Sequence, residues 1–202
     1  WRKRKEESSA KYPPKKRFAL VIAAHNEELV IGHVVDSLQK QNYPRLLYDI
    51  FVIADNCTDR TAEIAASHGA IVFKRYNNEQ RGKGFALDWA FNKIFDMSDR
   101  YDAICVFDAD NVVSSNFLNE MNKQMCKGYK IVQGYIDSKN PFDSWITCSY
   151  SIAFWLSNRI YQLPRHYLGL SCGLCGTGFC IDINILKEIG WGATCLTEDL
   201  EF

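Results

Sequence analysis

The sequence predicts an α/β fold with a mainly parallel central sheet flanked by helices. Three observations predict it. Continuous apolar runs of strand length recur along the chain, as in strands buried on both faces. Segments with apolar residues at helical spacing alternate with those runs. Three of the runs end in dense polar loops, and an open parallel sheet binds its ligands beyond such strand ends.

The elements follow in order. Phe18-Ala-Leu-Val-Ile-Ala23 is an uninterrupted strand, closed by the polar break His25-Asn26-Glu27-Glu28. Ile31, Val34, Val35 and Leu38 then mark one face of a helix. Asp49 to Ala54 is a second strand ending in the polar loop Asp55 to Asp59, and a helix from Thr61 to His68 stops at Gly69. Ile71-Val-Phe73 is a third strand, and helix 84–95 puts Leu87, Ala90, Phe91 and Ile94 on one side. The fourth strand, Ala103 to Phe107, runs straight into Asp108-Ala-Asp110. Ser114 or Ser115 is expected to cap a helix with Phe117, Leu118, Met121 and Met125 inward. Lys130 to Tyr135 reads as a fifth strand. Beyond about residue 140 the alternation fades: 141–163 is aromatic and amphipathic, 169–180 reads as loops and short strands, and Asp182 caps a helix that Gly190 ends. The aromatic segment (Phe142, Trp145, Tyr150, Phe154, Trp155, Tyr161) is expected to pack as core in preference to touching a membrane.

Composition narrows the class. The chain has 202 residues, 47% of them hydrophobic, enough for one domain with its own core. The 24 basic and 24 acidic residues cancel but are unevenly placed. Residues 1–17 hold eight Lys or Arg against two Glu, leaving the other 185 with a net charge of −6. Residues 1–16 therefore read as a basic, Pro-containing tether of juxtamembrane type, and 17–202 as the globular domain, with halves 17–138 and 139–202. An acidic globular part without a basic stripe argues against nucleic acid as a partner. No apolar stretch is long enough to span a bilayer. The missing initiator Met and the abrupt end at Phe202 are read as marks of a piece of a longer, membrane-anchored protein. The eight cysteines are expected to be free thiols, because Cys172 and Cys175 lack a well-spaced fourth zinc ligand.

The chemistry gathers at the loaded strand ends. Asp108 and Asp110, one residue apart past a buried strand, suit a hard divalent cation that also takes phosphate oxygens; the plainer reading is a turn with two solvated acids. Lys83, in Arg81-Gly-Lys-Gly84, opens a helix whose N-terminus attracts anions, so it suits a diphosphate; the alternative is a surface lysine. Neither a Walker loop nor a Gly-x-Gly-x-x-Gly turn is present, which weakens ATPase and dinucleotide readings. Thr197-Glu198-Asp199 follows a glycine-rich, aromatic loop and is either an acidic helix start or a catalytic carboxylate cluster.

In this order, these residues resemble the family 2 glycosyltransferases. Ala23-Ala-His-Asn-Glu27 is similar to that family's opening Pro-x-x-Asn-Glu, and Val52 to Thr61 to its Asp-Asp-Gly-Ser-x-Asp-x-Thr loop. Arg81 to Leu87 resembles the diphosphate segment, Phe107 to Asp110 the Asp-x-Asp motif, Gly176-Thr177-Gly178 the acceptor-side glycine motif, and Thr197-Glu198-Asp199 the catalytic Thr-Glu-Asp. Two positions depart: Ala24 replaces a frequent Pro and Ala54 a frequent Asp. No Gln-x-x-Arg-Trp motif occurs within the chain, so processivity stays open.

The resemblance implies a GT-A fold and an inverting, metal-dependent transfer from a nucleotide sugar, with a UDP-sugar as the expected donor. Donor contacts would come from Ala24, His25, Glu27, Asp55, Lys83, Asp108 and Asp110, with Asp55 on the nucleobase. Asp108 and Asp110 would hold Mg²⁺ or Mn²⁺, while Gly176, Thr177, Gly178 and Glu198 would face a saccharide or lipid-linked acceptor. Asp199 would be the general base. The implied setting is polysaccharide or glycoconjugate synthesis at the cytoplasmic face of a bacterial membrane, with membrane contact through segments outside this chain. The rivals are a sugar nucleotidyltransferase, an inactive nucleotide-sugar-binding regulator and a membrane-surface scaffold.

Overall fold

A computed structural model describes residues 11–97 and 100–193. Its centre is a six-stranded sheet in the order β3-β2-β1-β4-β6-β5. The strands are β1 (Phe18–Ala24), β2 (Tyr48–Asp55), β3 (Ile71–Arg75), β4 (Ala103–Asp108), β5 (Ile131–Gln133) and β6 (Phe179–Asp182). β1 pairs in parallel with β2 and β4, and β2 with β3. β6 is antiparallel to both β4 and β5. The expected α/β class and mainly parallel sheet are therefore present.

The apolar runs are continuous because both sheet faces are covered. Along β1, Phe18, Leu20 and Ile22 join one core with α1 (Ile31–Gln39) and α4 (Phe117–Cys126). Ala19 and Val21 point the other way, into a second core with α3 (Lys83–Asp96) and α7 (Ile183–Ile189). Alternate side chains of one strand thus serve two cores, as the two-residue period of a strand requires. The remaining helices are α2 (Thr61–Ser67), α5 (Trp145–Leu156) and α6 (Leu163–Tyr167), with a π-helical stretch over Ser157–Gln162 joining the last two. Among the described residues, no helix is long and apolar enough to cross a membrane.

Several expectations shift. α4 begins at Phe117 after Asn116, without a serine side-chain cap. The serines are held by the loop after α1 instead: Gln41 Nε2 donates to Ser114 O at 2.8 Å and Asn42 N to Ser115 O at 2.7 Å. β5 is only three residues long and sits at the sheet edge. Residues 169–180, expected as loops and short strands, run into β6 (Phe179–Asp182), a fully buried strand inserted between β4 and β5. Asp182 does cap α7, accepting from Asn184 N at 3.0 Å, and Gly190 does end it.

The start of the described chain is fastened by two buried side chains, Asn122 and Tyr43, whose hydroxyl accepts from Lys15 N at 3.1 Å and donates to Lys16 O at 2.8 Å. Asn122 Oδ1 accepts from Lys15 N and Lys16 N, each at 3.1 Å, and Nδ2 donates to Tyr12 O and Pro13 O at the same distance. The basic segment is thus stitched to α4 at residues 12–16 before it reaches β1.

The aromatic segment contradicts the core-packing expectation. Trp145 is 78% exposed and Phe142 88%, and Tyr150, Trp155 and Tyr161 are exposed as well. The reason is the face α5 turns inward. Ser151 is its one buried residue, and Thr147, Phe154 and Asn158 are half-buried on the same stripe. Two bonds tie this region to the preceding loop: Asn158 Nδ2, in the π-helical stretch, donates to Ile136 O at 2.7 Å, and Trp155 Nε1 to Asp137 Oδ1 at 2.9 Å.

Candidate active site

Beyond the carboxyl ends of β1, β2 and β4 lies a cleft of two adjoining hollows. One, of about 290 Å³, is lined by Ala23, Ala24, His25, Asp55, Asn56, Arg81, Gly82, Lys83 and Ala86. The other, of about 390 Å³, is lined by Ala23, His25, Glu27, Lys83, Asp108, Ala109 and Asp110. All seven sequence-predicted donor-side residues line one hollow or the other.

The walls are set by backbone geometry at the strand ends. Asn26 and Asn56, each just past a strand, adopt left-handed conformations (φ 56° and 50°), which turn the chain sharply and which Asn tolerates. The two loops then bind each other. Thr58 N donates to Asn26 Oδ1 at 2.8 Å, Glu27 N to Thr61 Oγ1 at 2.8 Å, and Glu28 N to Asp59 Oδ2 at 3.1 Å. Desolvation pushes the Asp59 carboxyl up, but hydrogen bonds from Thr61 and Glu28 outweigh it and hold it below the usual range. Burial pushes the Cys57 thiol up, so Cys57 packs here as a neutral donor to Ala24 O. His25 Nδ1 lies 2.7 Å from Asp55 O. A carbonyl oxygen only accepts, so Nδ1 carries the proton.

Asp55 has a partner that the sequence reading missed. Arg75, registered opposite it at the end of β3, donates from Nη1 to Asp55 Oδ1 at 2.6 Å, and both side chains are nearly inaccessible. Arg75 Nη2 also reaches Gln80 O at 2.8 Å, tying the Asp55 loop to the segment leading into α3. The available signal was a cation closing an apolar strand beside an acidic strand end.

Lys83, the first residue of α3, joins three parts of the cleft. Its Nζ lies 2.7 Å from Asp108 Oδ1 and donates to Gly176 O at 2.6 Å. Among the described residues no side chain caps α3, so its N-terminal peptide dipoles meet the cleft uncapped, a favourable setting for phosphate.

The glycine motif is built into the acidic turn. Asp108 N donates to Thr177 Oγ1 at 3.0 Å, and Thr177 Oγ1 donates to Asn111 Oδ1 in a very short bond. Gly178 N donates to Val106 O at 2.8 Å, and Gly178 has φ 64°, which favours glycine. Its carbonyl accepts from Gly134 N at 2.8 Å, where a Cβ on residue 134 would come within 2.7 Å of that oxygen. The structure thus brings Gly176, Thr177 and Gly178 to the same strand end as Asp108. Glu198 and Asp199 lie outside the described residues.

The donor set suits Mg²⁺ or Mn²⁺ in a particular way. Asp108 and Asp110 line one hollow, yet among the described residues no three His, Cys, Asp or Glu side chains converge. Mg²⁺ commonly binds through one or two carboxylates plus substrate phosphates, so two carboxylates facing a phosphate-suited helix end fit a cation that arrives with its substrate.

A parallel sheet with one reversed strand, and a charged cleft over its strand ends, defines the class of GT-A-fold proteins. Solved structures of that fold align with it. The mannosyltransferase PcManGT of Pyrobaculum calidifontis, in complex with GDP-Man and Mn²⁺, matches with TM-score 0.60 and 18% identity, covering 88% of this chain and 48% of that one. S. aureus TarS 1–349 in complex with UDP-GlcNAc matches with TM-score 0.61 and 15% identity, covering 92% and 52%. The chain belongs to the glycosyltransferase-like family 2, whose model matches residues 13–202. The probable glycosyltransferase YdaM of Bacillus subtilis is 28% identical over 197 residues, 92% of this chain and 45% of YdaM. The beta-monoglucosyldiacylglycerol synthase of a Nostoc species is 28% identical over 196 residues, 91% of this chain and 39% of that protein. The chain therefore spans less than half the length of these relatives.

Proposed function

We propose that the domain transfers a sugar, with inversion, from a nucleotide-sugar donor to a saccharide or lipid-linked acceptor hydroxyl. One observation carries the reading: Lys83, Asp108, Asp110 and the start of α3 meet in one cleft, with the glycine motif bonded to its acidic wall. Complexes of structural neighbours with GDP-Man and Mn²⁺ or with UDP-GlcNAc support a nucleotide-sugar donor, and a UDP-sugar is the donor proposed here.

In this reading, Asp55, held by Arg75, faces the nucleobase. Lys83 exchanges its bond to Asp108 for the diphosphate, and the N-terminal peptide dipoles of α3 share that charge. Asp108 and Asp110 would hold a divalent cation, which would supply positive charge for the leaving diphosphate. Asp199 takes the proton of the acceptor hydroxyl as that oxygen bonds the anomeric carbon. The bond from that carbon to the diphosphate oxygen breaks, and its electron pair leaves with the nucleoside diphosphate. A single displacement inverts the anomeric configuration. The setting proposed for this reaction is the cytoplasmic face of a bacterial membrane.

Asp110→Asn tests the donor side. It should abolish Mn²⁺-dependent UDP binding by calorimetry while leaving the folded far-UV spectrum unchanged; undiminished Mn²⁺-dependent affinity would sink the assignment. Asp199→Asn tests the acceptor side, with an expected rate loss of roughly 10²–10⁴ and near-normal donor affinity. A collapse of donor affinity with less than a tenfold rate loss would make Asp199 a binding residue. Proton NMR of the product's anomeric centre reads inversion directly.

A further inference from the structure

The outward face of α5 is apolar where a solvated helix is ordinarily polar. The inward stripe of α5 and its π-helical extension is Thr147, Ser151, Phe154 and Asn158, and opposite that stripe stand Trp145, Ile146, Ile152, Leu156 and Ile160, each 46% exposed or more. Residues 144–181 contain no Asp or Glu but include Arg159, Arg165 and His166. Arg159 is exposed and falls at helical spacing beside Ile152 and Leu156, so the helix and its extension contribute positive charge only, while the nearby Asp137 carboxylate is taken up by Trp155 Nε1 at 2.9 Å. Tyr150, Trp155 and Tyr161 flank it, rings with an apolar body and a polar tip.

A second cationic feature lies beside α6. The Tyr129 ring lies tilted against His166 of α6 at 5.3 Å, and two residues earlier Lys127 lies over the Tyr12 ring at 5.7 Å. Tyr12 thus packs at the end of α4, two residues from the Tyr129 that meets α6. Apolar side chains, interfacial aromatics and exposed cations are the combination that partitions into an anionic lipid surface.

From this arrangement we infer that the outward face of α5 and its π-helical extension lies against the headgroup region of an anionic bilayer. The inference goes beyond sugar transfer and holds whatever the acceptor is. A second copy of the chain fits less well, since a two-fold contact would set Arg159 of each copy on the same cationic face of the other.

The test uses vesicles of phosphatidylcholine and phosphatidylglycerol with brominated acyl chains, which quench tryptophan on contact. In a Trp1→Phe background, which removes the indole of the basic arm, the vesicles should quench emission. Adding Trp145→Phe should remove most of that quenching with an unchanged far-UV spectrum. Arg159→Gln should weaken partitioning about fivefold at low salt, the effect of one basic residue near such a surface. Co-sedimentation without quenching would mean the arm binds alone and would overturn the inference. So would a lipid-independent dimer whose formation Trp145→Phe abolishes. Because vesicle contact and UDP binding are read separately, failure here and failure of the transferase reading are distinguishable.

Discussion

β1 and α5 are both uncharged, and they meet opposite fates. FALVIAA disappears into the sheet, whereas WITCSYSIAFWL leaves nearly every side chain in solvent apart from Ser151 and its stripe. β1 is hydrogen-bonded on both edges and covered by helices on both faces, so its apolar groups have no other place to go. α5 turns only Thr147, Ser151 and the half-buried Phe154 inward, and the bonds to the preceding loop come from Trp155 and from Asn158 just beyond the helix, so its other apolar groups face away. Apolarity sets what a segment can bury; the neighbours decide which side is buried.

The difference is open to direct attack. Ile22→Ala should cost about 2–5 kcal/mol in urea denaturation, as a fully buried aliphatic does, whereas Trp145→Ala should stay within about 0.5 kcal/mol. Comparable losses would erase the contrast. Asn158→Ala removes the bond to Ile136 O and should cost about 0.5–1.5 kcal/mol. Its sharper reading is hydrogen exchange, which should quicken across Trp145–Leu156 and stay slow in β1. The smallest effect belongs to the Asp182 carboxyl, where the strand β6 meets α7. Burial pushes its pKa up, but the Lys130 ammonium and Asn184 outweigh that and hold it below the ordinary range. A lowered native pKa adds stability that is complete above the unfolded value of about 3.9 and disappears as pH falls through the native value. The advantage of wild type over Asp182→Asn, under about 1 kcal/mol because Lys130 is largely exposed, should therefore shrink below about pH 4.

The parallel half was legible because its strands are buried on both faces and read as unbroken apolar runs. Its site was legible for the same reason: polar residues crowd where those runs stop, and His25, Asp55, Lys83, Asp108 and Asp110 all line the cleft. Arg75 and Asn122 were not, since a lone cation at a strand end and an Asn in a helix look like surface residues until their partners are known. β6 was hidden by its brevity and by the glycines before it; only pairing with β4 makes Phe179–Asp182 a buried strand. The inward side of α5 was illegible because its few anchoring bonds go to Ile136 and Asp137, in a loop with no pattern of its own.

The position of β6 also bears on how the chain is made. A ribosome delivers β1 through β4 first, and these can pair among themselves as they emerge. One edge of β4, however, is covered in the finished protein by a strand that comes much later, after α5 and α6. Throughout that interval Ala103 to Val106 present an apolar strand with unpaired amides and carbonyls, the kind of edge that recruits strands from other chains. Slow synthesis between residues 109 and 178 prolongs that exposure, and the arrival of Phe179–Asp182 ends it.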